Sequence, residues 1–380
     1  MVKVATGCAK TKAGGGMSRS GKPVDVSVII PTYNRAGLVV EAIESVLRQT
    51  APPREIIVVD DGSTDGTPDA LASFGDRIVA VRQENHGVGG ARNRALAMAS
   101  GRYLAFLDSD DVWLDFKLEL QVDVLERNPA LGFLFSDFQI KGESGTITPN
   151  GLQTWYRHPL RWEEVLDDLT TTSVRRSIWN GPVRIHSGQM YRALLAEPYV
   201  LPSSAIIRAG CLTPDVRFGE NGPNCTDWEF FARLARICTA GFIEVDTVIN
   251  RGGNDRPRLT QTSAATKAQL RLHMIDAVWK SDADFLLAHG QEVIAVEADQ
   301  CLELARAHAL DSKGFAVFVA LRRWFRLGHL IRWKLALALA GCALVPGSGA
   351  VLRGIRRLLE GKGSVVTAEP RTTQTESRSG

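Results

Sequence analysis

Cysteine is scarce in this sequence, and no two cysteines form a C-x-x-C pair. The six cysteines are spread from Cys8 to Cys342 in a chain of 380 residues, which argues against both a zinc site and a disulfide scaffold. A reduced, cytosolic compartment is the simplest interpretation. Residues 1–23 are rich in Gly, Lys and Ser and lack an apolar stretch of signal-peptide length. We therefore expect a disordered N-terminal tail there, not an export signal.

Acidic residues are almost absent near the C-terminus. Between Arg322 and Lys362 there are nine Lys or Arg and one acid, Glu360. This excess of basic residues favours contact with anionic lipid, although a solvated basic face is the alternative. We expect residues 316–365 to form basic and apolar helices in peripheral contact with the cytoplasmic face of a membrane. A second disordered tail is predicted at 366–380.

One uncharged run lies inside this basic segment, at residues 335–352. Its eighteen residues reach the lower edge of a membrane-spanning length, but Gly341 and Pro346 interrupt it. Three interpretations stay open: a membrane span, an amphipathic element lying on the surface, and a packed helical pair.

Short apolar runs alternate with helical patterns from residue 26 onward. The runs begin at Val26, Ile56, Ile78 and Tyr103, and apolar side chains at helical spacing follow the first three. This alternation predicts an α/β fold with a doubly wound, mostly parallel sheet flanked by helices. Residues 141–192 are aperiodic, which is typical of either a functional insertion or a partly disordered segment. Residues 263–315 predict a helical C-terminal extension.

Three acids follow the run that begins at Tyr103. Asp108, Asp110 and Asp111 come directly after Leu107, where adjacent like charges need a cation or a polar ligand. In an extended segment Asp108 and Asp110 point to the same side. Two oxygens on one side suit Mg²⁺ or Mn²⁺ carrying a diphosphate. The alternative is that Asp111 or Asp115 merely caps the next helix.

Other polar residues end the neighbouring runs, so they would meet at the ligand-binding rim of a parallel sheet. Tyr33 could stack a nucleobase, and Asp60 and Asp61 could accept hydrogen bonds from base and ribose, unless Asp61 belongs only to a turn. The segment 85–93 opens a helix, so its N–H groups and Arg92 could meet phosphate. Its G-x-G resembles a dinucleotide fingerprint only weakly, because Arg92 occupies the third glycine position; a Rossmann dehydrogenase is therefore a poor second choice.

Four motifs together resemble the family 2 glycosyltransferases of GT-A fold. They are Val-Ser-Val-Ile-Ile-Pro-Thr-Tyr-Asn-Arg (26–35), Val-Val-Asp-Asp-Gly-Ser-Thr-Asp (58–65), Asn85 with Gly87 and Ala91-Arg92-Asn93, and Phe-Leu-Asp-Ser-Asp-Asp-Val-Trp (106–113). The resemblance is dense over residues 24–140. It implies a GT-A domain at 24–262, with a nucleotide-binding half at 24–140 and an acceptor half at 141–262.

The resemblance also implies site residues. Asp108, Asp110 and Asp111 would hold Mg²⁺ or Mn²⁺. The residues that would bind the nucleotide-sugar are Pro31, Thr32, Tyr33, Asn34, Asp60, Asp61, Asn85, Gly87, Arg92, Asp108 and Ser109. In the family the catalytic base is commonly the Asp of a Glu-Asp pair that opens an aromatic-rich helix. Asp227 matches it, with Thr226 in place of the Glu; the alternative is that Asp227 only caps its helix.

The function implied is inverting transfer of a sugar from a nucleotide-sugar to a hydroxyl acceptor. Uracil is the expected base of the donor, with thymine and guanine as alternatives. The expected pathway is glycan, polysaccharide or glycolipid assembly, with a lipid-linked glycan as acceptor and no nucleic-acid partner. A catalytically inert nucleotide-sugar-binding scaffold or regulator is the main alternative. A nucleotidyltransferase would need a Gly-rich loop after the first strand, which Pro31-Thr32-Tyr33-Asn34 is not. A processive synthase usually carries several membrane spans.

Overall fold

The computed structural model describes residues 22–142, 144–155, 161–175, 180–219, 226–251, 263–328 and 333–344. The chain divides into two compact units, residues 1–258 and 259–380. Apart from residues 22 and 23, both predicted tails lie outside the described residues, and so does the domain boundary expected after residue 262.

The described part of the first unit contains a single sheet of eleven strands. The strands are β1 (Val24–Thr32), β2 (Pro53–Asp60), β3 (Val79–Arg82), β4 (Tyr103–Phe106), β5 (Val112–Trp113), β6 (Leu131–Lys141), β7 (Ile147–Thr148), β8 (Asp168–Arg175), β9 (Asn180–Gly188), β10 (Ile206–Arg208) and β11 (Thr239–Arg251). The helices of this unit are α1 (Ala36–Leu47), α2 (Thr67–Ala72), α3 (Gly87–Met98), α4 (Lys117–Arg127), α5 (Gly151–Trp155), α6 (Trp162–Val165) and α7 (Thr226–Ile237). Single 3₁₀ turns lie at Gly75–Arg77, Ala193–Leu195, Pro202–Ser204 and Ala209–Cys211.

The sheet order is β3-β2-β1-β4-β10-β6-β11-β9-β8, with β5 paired to β11 and β7 to β6. The first four strands in this order are parallel to one another. β10 joins them antiparallel to both β4 and β6, and the β8–β9 hairpin is antiparallel. The α/β fold class, with helices flanking the sheet, is therefore confirmed. The sheet is mixed because its second half adds antiparallel strands to the predicted parallel set.

The order of the first four strands creates a switch point in the topology. The chain builds β1, β2 and β3 outward in one direction and then returns to place β4 on the other side of β1. β1 and β4 are neighbours in the sheet, and the loops that follow them consequently diverge from each other. In open α/β sheets, ligands bind in the crevice at such a point.

The strands here are buried on both faces, which explains their continuous apolar runs. From Val26 to Thr32 every residue of β1 is buried, as is all of β4. One face of α1, including Val39, Ile43 and Val46, packs inward. These contacts fix the strand ends on which the polar residues sit.

The stretch 141–192 is more regular than its sequence indicates, because it contains β8 and β9. β8 is the edge strand at one end of the sheet order, and its Leu169 is exposed. Its sequence lacks the alternation of apolar and polar residues that would have predicted a half-buried strand. Trp162 is buried and stacks on Phe242 with ring centroids 3.8 Å apart.

The second unit is helical in its described residues, as predicted. Its helices are α8 (Ala264–Met274), a π-helical turn (Ile275–Trp279), α9 (Ala283–Leu310), α10 (Gly314–Arg326) and α11 (Trp333–Leu344). An apolar cluster joins them; Ala336 and Leu339 bring α11 into contact with residues such as Leu302 and Trp324.

The uncharged run at 335–352 is described only as far as Leu344, where α11 ends. Over that part, the burial of Ala336 and Leu339 agrees with the packed-helix interpretation. None of the helices in the described ranges is both long and apolar enough to span a membrane.

Candidate active site

The switch point brings together loops that are far apart in the sequence. Thr32 lies opposite Asp60 in the β1–β2 register, and Ile29 lies opposite Phe106 in the β1–β4 register. The residues that follow these strands therefore share one edge of the sheet. Asp108 sits two residues beyond β4, next to the loop that leaves β1.

Two arginines neutralise two of the three clustered acids. Arg35 Nη1 donates to Asp110 Oδ2 at 2.6 Å, and Arg92 Nη2 donates to Asp108 Oδ1 at 2.5 Å. The second oxygen of each carboxylate accepts no hydrogen bond from a described residue. Burial of the Asp108 carboxyl raises its pKa; Arg92 opposes this rise, while Asp110 and Asp227 add to it.

Asp111 is enclosed by the protein, with 1% of its surface exposed. Its Oδ2 accepts from Ser203 Oγ at 2.5 Å and its Oδ1 from Asn250 Nδ2 at 2.9 Å. The backbone of Arg251 also donates to it. Burial, followed by the charges of Asp110 and Asp108, raises the pKa of Asp111 well above its ordinary value.

Ser203 serves two members of the acidic cluster at once. Its hydroxyl donates to Asp111 and accepts the backbone N–H of Asp108 at 3.0 Å. Asp111 is not a helix cap, because α4 begins after Phe116 with no side-chain cap bond. Both oxygens of Asp111 are thus engaged in holding the turn that presents Asp108 and Asp110.

A divalent cation fits this donor set only in part. Among the described residues no group of three or more His, Cys, Asp or Glu side chains is arranged to hold a metal. Mg²⁺ in phosphate-transfer sites usually takes one or two carboxylates, with phosphates and water completing its shell. The free oxygens of Asp108 and Asp110 match that pattern, whereas the oxygens of Asp111 already have donors.

The ends of β1 and β2 carry buried polar atoms that have no hydrogen-bond partner in the described structure. Asp60 Oδ1 accepts the Ser63 N–H at 3.0 Å, but Asp60 Oδ2 has no hydrogen bond and lies 3.7 Å from Arg82 Nε. The hydroxyl of Thr32 is also buried and unbonded. Buried polar atoms are normally satisfied, so these two can receive donors from a ligand. Tyr33, nearby in sequence, is 45% exposed, which leaves its ring available for stacking.

Two residues predicted to bind the nucleotide are engaged within the protein. Asp61 Oδ1 accepts from Gln83 Nε2 at 2.8 Å and from the His86 N–H at 2.9 Å. Asn34, at φ +50°, accepts the Thr64 N–H at 2.7 Å through its side-chain oxygen. These bonds connect the loops that follow β1, β2 and β3.

The N-terminus of α3 completes the same edge. Gly87 has φ +76° and donates its N–H to Asn85 Oδ1 at 3.2 Å. Arg92 is 3% exposed, and its Nε has no partner in the described structure. Ser109 is buried, as is Pro31 within β1.

Phe218 connects the acidic cluster to α7. Its ring stacks on Phe230 at 4.0 Å, meets Phe106 edge-on at 5.2 Å and lies 4.9 Å below the guanidinium of Arg92. The side chain of Asn93 exchanges two hydrogen bonds with the Phe218 backbone. α7 is thereby held next to the end of β4.

Asp227 lies in the first turn of α7, where its carboxylate accepts the N–H of Trp228 at 2.9 Å. It is close enough to Asp108 to contribute to the raised pKa of that carboxyl. Residues 220–225, which precede α7, lie outside the described part of the chain.

The sequence prediction missed Ser203, Asn250 and Phe218, which belong to none of its motifs. Ser203 and Asn250 reach Asp111 from 92 and 139 residues away, and no local pattern encodes such contacts. Arg35 had a signal, because it is the last residue of the motif at 26–35.

A family model for glycosyl transferase family 2 matches residues 27–197. The match contains the four loops that carry the acids, Arg35 and Arg92. Over these residues the chain is similar to glycosyl transferase family 2. Asp227 and α7 lie beyond the end of the matched range.

The matched region is similar to curated proteins of several bacteria. It is 46% identical over 130 residues to the putative teichuronic acid biosynthesis glycosyltransferase TuaG of Bacillus subtilis, covering 33% of this chain and 50% of that protein. It is 40% identical over 124 residues to the UDP-Glc:alpha-D-GlcNAc-diphosphoundecaprenol beta-1,3-glucosyltransferase WfgD of Escherichia coli, covering 32% and 49%. The chain spans about half the length of these relatives.

Among solved structures, S. aureus TarS 1-349 in complex with UDP aligns with a TM-score of 0.48 and 18% identity. The alignment covers 83% of this chain and 90% of that one.

Proposed function

We propose that this protein is a glycosyltransferase that moves a sugar from a UDP-sugar to a hydroxyl acceptor, with inversion at the anomeric carbon. The observation that carries the proposal is the pair of acids at the switch point. Asp108 and Asp110 each keep one oxygen free, while the other is neutralised by Arg92 or Arg35.

The charge of the cluster determines what can bind there. A nucleoside diphosphate is an anion, and the carboxylates of Asp108, Asp110 and Asp227 would repel it. Arg35 and Arg92 compensate for only part of this charge. A divalent cation between the carboxylates and the diphosphate would remove the remaining repulsion.

Asp108 and Asp110 are the residues that would hold Mg²⁺ or Mn²⁺. When bound, the cation supplies Lewis-acid stabilisation of the negative charge on the departing diphosphate. Arg92 and Arg35 hold the two carboxylates in place, and Ser203 and Asn250 do so indirectly through Asp111. The site is thus largely set before the donor arrives.

The nucleoside would lie along the ends of β1 and β2. The free Asp60 Oδ2 and the Thr32 hydroxyl can each accept a donor from the base or ribose. Tyr33 would stack on the base, and the N–H groups at the start of α3 would face phosphate. Asp61, Asn34 and Asn85 then act by positioning these loops.

Asp227 is the proposed general base. It would take the proton from the acceptor hydroxyl as that oxygen bonds to the anomeric carbon, on the face opposite the nucleotide. The bond from the anomeric carbon to the phosphate oxygen breaks, and its electron pair leaves with the nucleoside diphosphate. One displacement of this kind inverts the configuration.

The acceptor we propose is a lipid-linked glycan at the cytoplasmic face of a membrane, in polysaccharide or glycolipid synthesis. The Escherichia coli relative is named for a UDP-glucose donor and a diphosphoundecaprenol acceptor, and the Bacillus subtilis relative for teichuronic acid biosynthesis.

The test is release of nucleoside diphosphate from a panel of nucleotide-sugars, with Mn²⁺, Mg²⁺ or EDTA, with and without membrane lipid extract. Transferase activity predicts metal-dependent release from a UDP-sugar that the lipid extract accelerates. Metal-dependent donor binding with no release under any condition would instead indicate an inert binding protein.

A further inference from the structure

α10 carries two apolar faces, and only one of them packs into the second unit. Val317, Leu321 and Trp324 are buried in the apolar cluster with α9 and α11. The opposite face is exposed: Phe315 is 84% exposed, Phe318 41% and Phe325 58%. Exposed apolar side chains that form one contiguous patch mark an interaction surface, whereas singly scattered ones are normal.

The exposed side chains form one continuous stripe. At about 100° per residue, they occupy an arc of about 120° on the helix. The outer stripe of α10, as we use the term, consists of Phe315, Phe318, Val319, Arg322, Phe325 and Arg326. Its composition is aromatic and cationic, and α10 contains no acid anywhere along its length.

The arginines of the stripe differ from the neighbouring Arg323. Arg323 turns to the buried Glu297, at 2.6 Å, and to Asp276, at 2.8 Å, and so belongs to the interior ion network. Arg322 and Arg326 are exposed and have no salt bridge to a described residue. Their charges are therefore available to a partner.

We propose that the outer stripe of α10 is a docking surface for an anionic lipid bilayer. Phenylalanine side chains can enter the boundary between headgroups and acyl chains, while arginines beside them pair with lipid phosphates. A helix with an apolar arc, interspersed arginines and no acid complements a negatively charged surface. The charge complementarity favours lipid over a second copy of this chain, whose stripe would bring like charges together.

The outer stripe places on α10 the membrane contact that the sequence predicts for residues 316–365. The uncharged run beginning at residue 335 drew attention to α11, but Ala336 and Leu339 of α11 are buried against the other helices. The docking surface extends the proposed function, because a lipid-linked acceptor would be met at the bilayer. Lipid binding itself needs neither donor nor turnover.

The experiment is flotation of the full-length protein with vesicles of phosphatidylcholine alone or mixed with phosphatidylglycerol. Wild-type protein should float with the anionic vesicles, more weakly at high salt. The double change Phe315→Ser with Phe318→Ser should lower the partition coefficient about tenfold or more. Arg322→Gln with Arg326→Gln should likewise lower the partition into anionic vesicles by about tenfold or more.

The matched control is Leu287→Ser, which removes a 90% exposed leucine from α9 and should leave binding unchanged. Circular dichroism confirms that each variant is folded. No flotation of wild type, or equal flotation of both double variants and wild type, would overturn the proposal. A wild-type dimer in sedimentation velocity that the phenylalanine changes dissociate, without vesicle binding, would assign the stripe to self-association.

Donor turnover, measured on the same variants with and without membrane lipid extract, separates the two proposals. Lipid binding without turnover would refute only the transferase, and turnover without lipid binding only the docking surface.

Discussion

Arg35 and Asp110 form an ion pair across the switch point of the sheet, with Nη1 and Oδ2 2.6 Å apart. One residue follows β1 and the other follows β4, and 75 positions separate them in the sequence. The pair connects the loops that follow β1 and β4 and leaves the second oxygen of Asp110 free. A parallel pair, Arg92 with Asp108, holds the neighbouring carboxylate.

Asp110→Asn should lower metal-dependent release of nucleoside diphosphate by about 10²-fold or more, because it removes a charge that binds the cation. Titration with Mn²⁺ in the presence of UDP should show correspondingly weaker metal binding. The matched control is Asp115→Asn, which changes an exposed acid four residues from Asp111 that pairs only loosely with Arg48, at 3.7 Å. Equal activity in both variants would remove Asp110 from the metal site.

Ser203→Ala should reduce stability by about 1–3 kcal/mol, because the buried carboxylate of Asp111 loses a donor. The N–H of Asp108 loses its acceptor as well, so activity should also fall. Ser204→Ala is the control: that hydroxyl donates only to the Leu201 carbonyl, at 2.9 Å, away from the acids. Urea unfolding and initial rates on both variants check this. A loss of activity as large in Ser204→Ala would argue against a specific role for Ser203.

Gly89→Ala should destabilise the fold by about 1–3 kcal/mol through overpacking. A Cβ at residue 89 would collide with the backbone carbonyl of Gly219, in the loop that leads toward α7. Turnover should fall with stability, because that loop helps to set the position of α7 and Asp227. Gly37→Ala adds a Cβ in open space within α1 and should be neutral or slightly stabilising. Thermal melts and turnover rates are measured for both variants. Equal melting temperatures and equal rates in Gly89→Ala and Gly37→Ala would contradict the prediction.

Asp137 should make stability depend on pH. Burial raises the pKa of Asp137 to about 6, aided by the charges of Asp246 and Glu244 and opposed by the N–H groups of Leu152 and Phe138. The folded state therefore keeps a proton that the unfolded chain releases above about pH 4. Stability should fall by about 3 kcal/mol as the pH rises from about 4 to about 6.

Asp137→Asn should remove the part of the pH dependence of stability that comes from Asp137. The free energy of unfolding, from urea titrations at several pH values, is compared between wild type and variant. Other buried acids with raised pKa values, including Asp246, keep their own slopes in both proteins, so the difference reports on Asp137. An identical pH dependence in the two proteins would contradict the prediction.

The positions of the site acids could be predicted from the sequence because these residues follow the ends of apolar strands. The apolar runs before Asp60 and Asp108 are buried strands, and parallel pairing brings their ends to one edge. Local sequence patterns and the handedness of βα units are enough to predict this shared edge. It predicted the positions of the acids but not the division of labour among them. Asp108 and Asp110 keep free oxygens, whereas Asp111 is enclosed by Ser203 and Asn250.

Contacts formed across the domain were beyond local patterns. Ser203 belongs to a short 3₁₀ turn. Asn250 belongs to β11, which β10 and β6 separate from β4 in the sheet order. The outer stripe of α10 was hidden for a different reason. Aromatic side chains lie on both faces of this helix, so only the packing distinguishes the buried Trp324 from the exposed Phe325.

The most direct test of the central claim separates donor binding from chemistry in Asp227→Asn. Binding of the UDP-sugar with Mn²⁺ is measured by calorimetry, and transfer to acceptor by release of UDP in single turnovers. If Asp227 is the base, the variant binds donor as wild type does, within about threefold, while the transfer rate falls by about 10²–10⁴-fold. Transfer at the wild-type rate, with binding intact, would contradict the account.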